Sequence, residues 1–197
     1  MQVGRFLARA VIGSLFIGHG AQKLWGSFGG PGPEGTASMM ESLDMRPAKR
    51  NALAAGAAEA GGGALLVAGL ATPLACAALI GTMVTAIRKV HLPNGPWAAN
   101  GGYEYNVALI AALVAIAEDG PGTLSLDALL RMDRRGSAWG LIALALGLVA
   151  STVVVEAGRR GPTNVPEAPA EPVSSPYPGT AGDPVTSDDP AAPGGSL

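Results

Sequence analysis

NALAAGAAEAGGGALLVAGLATPLACAALIGTMVTAI, residues 51–87, contains one charged side chain, Glu59. A run this long and this apolar exceeds the surface helix of a soluble domain. Its only break, Ala71-Thr72-Pro73, is too short for anything but a turn between antiparallel neighbours. The stretch therefore predicts a helical hairpin of two membrane spans, Leu53 to Leu70 and Leu74 to Val90. Gly56, Gly61, Gly62, Gly63, Gly69 and Gly81, set among alanines, suit close helix approach, because packing in lipid relies on small residues rather than on expulsion of water. Glu59 is the outlier. A carboxylate at that depth costs roughly 2.5–3.5 kcal/mol on insertion scales, so by default it is paired and marks a functional site.

Outward from the hairpin, Phe6 to Trp25 forms a first span, with Arg5 and Arg9 at its start and His19, Gln22 and Lys23 in its last turns. Its basic start and short apolar core imitate a secretory signal, but no small-x-small site follows the core, so a retained helix is expected. Tyr103 to Ala117 is the fourth span. From Gly136 to Val155 runs a fifth, twenty uncharged residues between Arg134-Arg135 and Glu156. In the connections, Ser38 and Glu41 match a capping box for a short interfacial helix. Ser125 with Asp127 suits the start of a short helix bearing Leu126, Leu129 and Leu130.

The chain has 197 residues, 48% hydrophobic and 14% charged, with a formal charge of −2. These values bound it to a membrane domain plus a tail and give no basic footprint for nucleic acid. Residues 161–197 hold nine of the sixteen prolines together with Gly, Ser and acids. Such a composition has too few large apolar groups to offset ordering entropy, and a disordered tail is expected. Cys76 is the only cysteine, which excludes an intramolecular disulfide or a CxxC site within the chain; it reads as a small packing residue.

Polar groups gather where the spans end. On a helix His19 and Lys23 are four residues apart and Gln22 is three from His19, so the three share a face. Turned inward, that face lets Lys23 neutralise Glu59 or Glu104; turned outward, Lys23 snorkels to the headgroups. Lys89 and His91 close the third span, and Tyr103, Glu104 and Asn106 open the fourth. His19, His91, Glu59 and Glu104 offer a metal ligand set only if their helices converge. No HxxxH or ExxH spacing supports it, and no metal is assigned.

His19-Gly-Ala-Gln22-Lys23-Leu24, Glu59 followed by two glycines, Lys89-x-His91, Gly102-Tyr103-Glu104-Tyr105 and Gly120-Pro-Gly-x-Leu-Ser-Leu-Asp127 occur in that order. The combination, over roughly residues 4–130, resembles the DoxX family of small bacterial membrane proteins, related to DoxD. The resemblance implies an all-α integral membrane four-helix bundle over residues 1–130. To it are added a further transmembrane helix at 131–157 and a disordered Pro-rich, acidic tail at 158–197. It implies a multi-pass protein of the bacterial plasma membrane, surrounded by the lipid bilayer and working with membrane or peripheral redox partners in a quinone- or thiol-linked oxidoreductase system. On that reading a quinone is the cofactor, with Gln22, Lys23, Lys89, His91 and Tyr103 around it, and Glu59, His19 and Glu104 move protons. A non-catalytic scaffold or assembly factor is the alternative from another class, and a small-solute transporter a third.

Overall fold

Proline and glycine set most of the helix ends. In the computed structural model, which describes residues 2–161 except residue 133, α1 (Gln2–Trp25) stops at Gly26, whose φ of 71° lies in the left-handed region. The second helix, α2 (Gly32–Ser42), carries Pro33 in its first turn, where the missing N–H costs least. Ser38 is thus inside this helix, and the expected capping box does not form its start. Pro47 precedes α3 (Ala48–Ala68), which ends on Gly69 at φ 62°. Pro73 opens α4 (Thr72–Ala86), which continues through a π-helical turn, Ile87–His91, and a 3-10 turn to Asn94. Then follow α5 (Glu104–Asp119), the short α6 (Leu126–Leu129) and α7 (Ser137–Arg159). The chain is all-α: no strand occurs among the described residues. The expected tail falls, from residue 162 on, outside the described residues.

Successive long helices pack side by side, α1 on α3, α3 on α4, and α4 on α5. The α1–α3 seam is antiparallel and built on glycine. A Cβ at Gly20 would lie 2.6 Å from that of Ala60, and one at Gly63 would lie 2.5 Å from the Gly13 carbonyl oxygen. Larger residues would therefore hold these helices apart. α7 lies against both α4 and α5. Ala143 joins Phe16, Leu66, Cys76, Leu79, Ile80 and Leu113 in one core, and Ser151 Oγ meets Thr85 Oγ1 at 3.0 Å. The fifth long helix is thus part of the packed assembly.

Apolar and charged groups are inverted relative to a water-soluble protein. Val3, Leu7, Val11 and Leu15, one residue per turn of α1, face outward, as do Leu141, Leu146, Val149 and Val153 of α7, while Arg9, Glu59 and Asp127 are buried. Contiguous outward apolar stripes with charge turned in fit a lipid environment. Residues 72–94 and α7 are long and apolar enough to cross a membrane. α1 and α3, at 24 and 21 residues, reach the ~30 Å of a hydrocarbon core at ~1.5 Å per residue. Arg9 of α1 and Glu59 of α3 are among the charges the fold removes from the surface.

Candidate functional site

The buried face of α1 is the stripe Arg9, Gly13, Phe16, Gly20, which points at α3. Lys23 follows one turn after Gly20 at the edge of that stripe. On α3, Glu59 lies on the buried face with Gly56, Gly63 and Leu66. A Cβ on Gly56 would lie 2.7 Å from Leu24 Cγ and 3.3 Å from Lys23 Cβ, so the bare backbone there lets the end of α1 settle onto α3. Lys23 Nζ then donates to Glu59 Oε2 at 2.5 Å. The side chains are 19% and 8% exposed, which places the carboxylate inside and the ammonium at the rim. Nζ also lies 3.5 Å from the carbonyl oxygen of His19.

A charge-assisted bond of this length between groups shielded from water is strong in position. With one ammonium hydrogen on Glu59 and one toward the His19 carbonyl, its chemical capacity is to offer the third to an acceptor on the rim side. In lipid the pair also removes the penalty that Glu59 alone would carry.

The other residues that the sequence singles out are dispersed, and for identifiable reasons. The face shared by His19, Gln22 and Lys23 is not the buried face of α1. His19 lies beyond the edge of the stripe and is exposed. Gln22 is half-buried because Gly30, in the following loop, packs against it. His91, Tyr103 and Glu104 organise residues 92–104: His91 Nδ1 meets the Gly101 carbonyl at 2.8 Å, the Tyr103 amide donates to the Gly95 carbonyl at 3.2 Å, and Glu104 Oε1 accepts from the Ala98 amide at 2.8 Å. Lys89 is half-buried on the π-helical turn. Lys23 is therefore neutralised by Glu59, whereas Glu104, at the start of α5, holds the loop before it. Among the described residues no three His, Cys, Asp or Glu side chains form a metal-binding group. Asn106, buried, donates to Met83 Sδ at 3.4 Å, and Cys76 is wholly buried.

A second polar cluster went unassigned in the sequence. Asp127 is fully buried and accepts from the amides of Ala71 and Thr72 and from Thr72 Oγ1, at 2.9, 3.0 and 3.0 Å. It caps the start of α4 across 55 residues; Ser125 caps α6, accepting from the Ala128 amide at 3.1 Å. Arg9 is 1% exposed, donates through Nη2 to the Leu124 carbonyl at 2.5 Å, and lies against Gly69 at the end of α3. There its charge faces the negative end of the α3 dipole and interacts electrostatically with Asp127. The available signal was the spacing: Arg9 precedes the buried glycines of the stripe by one helical turn, whereas Arg5 does not.

In comparison with known proteins, the model of the DoxX family matches residues 4–92. The matched segment contains α1 to α4 with Lys23 and Glu59; the 102–105 and 120–127 motifs lie beyond it. No curated protein and no solved structure matches the chain.

Proposed function

We propose, from the match to the DoxX family over residues 4–92, that this is a multi-pass protein of the bacterial plasma membrane. Its first four long helices form a four-helix unit serving a membrane oxidoreductase system, and α7 adds a further span. The observation that carries the reading is the Lys23–Glu59 pair, a buried carboxylate with one cation at 2.5 Å, the two on different helices. Intramembrane ionisable pairs of this kind mark proton or ligand sites.

A quinone fits the donor set. The remaining Lys23 hydrogen suits a carbonyl oxygen, and Glu59 stands one bond behind it as the group that would take or give a proton. When bound, the quinone supplies the two-electron chemistry. Lys23 would orient its oxygen, with Glu59 holding Lys23 in place behind it. Cys76, buried in the core and alone, takes no part, which favours the quinone-linked over the thiol-linked version.

The test is chemical analysis of gently purified protein together with quinone-dependent turnover in membranes. Quinone is expected to co-purify with the wild type and to be lost, with turnover, from Glu59→Gln at unchanged protein level. Protein that carries no quinone, and whose Glu59→Gln variant supports full turnover, would overturn the proposal. The placement of Glu104 and His91 in loop hydrogen bonds favours one rival, a non-catalytic scaffold. That rival expects partners to co-purify equally with both proteins.

A further inference from the structure

The side of the assembly opposite the α1–α3 seam is open. α1 and α5 meet over a short stretch only, and two adjoining cavities, of about 240 and about 310 Å³, lie at the end of the molecule that carries Arg5 and share Arg5 and Asp119 in their walls. The first is a slot between the two helices with small apolar walls, Ala8 and Ile12 on α1, Ala112 and Ala115 on α5. The second lies beyond the end of α5 and is lined by Arg5, Arg131 and Arg135 against the single acid Asp119. The Arg5–Asp119 contact is long, 3.7 Å, and Asp119 is 62% exposed, so this ion pair does little to occupy the guanidinium. At the same end Arg134 stacks on Trp139 at 6.0 Å from the ring centroid, an arrangement suited to the headgroup level of a bilayer.

We propose that this composite cavity binds an anionic glycerophospholipid, its phosphate held by Arg5 and Arg131 and one acyl chain lying in the slot between α1 and α5. Charge complementarity selects the headgroup: Arg5 and Arg131 stand in the wall with Asp119, whose contact with Arg5 is long and exposed. The slot selects the source of the phosphate. A free phosphate leaves an apolar groove beside it unfilled, whereas a lipid fills both compartments with one molecule. Lipid tails are also the abundant apolar matter available to a groove between membrane helices, since no hydrophobic force closes it. The site lies at the end of α1 remote from Lys23 and does not depend on the redox reading.

Native mass spectrometry of the full-length protein in mild detergent tests this, with phosphatidylglycerol, phosphatidylcholine of the same chains, and inorganic phosphate as probes. Phosphatidylglycerol is expected to stay bound at concentrations where phosphatidylcholine does not, and inorganic phosphate in excess is expected not to displace it. Arg5→Ala and Arg131→Ala should each weaken retention by roughly fivefold, the effect of one basic residue near an anionic headgroup. Ala115→Phe, which fills the slot and leaves the arginines in place, should abolish retention. Equal retention of the two lipids overturns the proposal without reliance on any variant. So does displacement by free phosphate, or undiminished binding to folded Ala115→Phe.

Discussion

The Lys23–Glu59 pair and the Arg9–Asp127 cluster place opposite charges inside one helix assembly, yet they are built differently. Asp127 receives three donors from the backbone and hydroxyl of the α4 start, so its charge is distributed over groups that cannot move without unfolding a helix. Glu59 receives one, from a lysine at the rim of the assembly. A carboxylate that accepts three bonds from one helix start is a fastener. One with a single partner, a lysine at the rim, has acceptor sites left over for a ligand, which is why the pair and not the cluster is the candidate for chemistry.

The largest expected effect falls on the fastener. Asp127→Ala leaves the Ala71 and Thr72 amides and the Thr72 hydroxyl without their acceptor and takes from Arg9 a nearby opposite charge, and should cost about 3–5 kcal/mol, the range for stranding buried polar and charged groups. The heat-treated protein should then leave the monodisperse peak on size exclusion at markedly lower temperature than the wild type. Loss of stability no greater than that of a surface variant would erase the distinction between the two clusters. Next comes Lys23→Met, which strands Glu59 and should cost about 2–3 kcal/mol. Adding Glu59→Gln to it should restore most of that stability. A double variant less stable than Lys23→Met alone would show that Glu59 has a structural partner besides lysine.

Smaller effects sharpen the contrast. Arg9→Met should cost about 1–2 kcal/mol, less than Asp127→Ala, because Arg9 Nε and Nη1 are buried with no partner and their removal relieves desolvation as well as breaking a bond. Thermal midpoints of the two variants measured side by side decide the order. Least affected should be Glu104→Gln, about 0.5–1 kcal/mol, for an exposed carboxylate at the start of α5 bonded to one amide. Its quinone content and turnover should match the wild type, and their loss would return Glu104 to the proton-moving role the sequence suggested.

The helices were legible because their length and terminators are local properties. Gly69, Pro73 and Gly120 end or begin elements where chain chemistry requires it. The pairing of Lys23 with Glu59 was legible for an energetic reason, since a carboxylate in an apolar run needs a cation and the first span carries one near its end. Arg9 and Asp127 were misread by the same local logic. An arginine near the start of a span looks like an interfacial flank, and an aspartate after a serine looks like part of that helix's own cap. What separates Arg9 from Arg5, four residues away on a shared face of α1, is that Arg9 sits one turn further in, against the end of α3, and what aims Asp127 at α4 is a chain path of 55 residues; both depend on elements distant in the chain. His19 is exposed because residues four apart share a face without that face being the inner one.

The cap on α4 also imposes a schedule. The amides of Ala71 and Thr72 leave the ribosome 55 and more residues before the carboxylate that holds them. At about 5–20 residues per second that is an interval of roughly 3–11 s, during which the hairpin of α3 and α4 waits in the membrane or translocon with its turn unlatched. Biogenesis of this protein therefore has a vulnerable window that closes only when α6 docks. Ribosome stalling between residues 94 and 127 should expose the hairpin to membrane proteases that leave the finished chain alone.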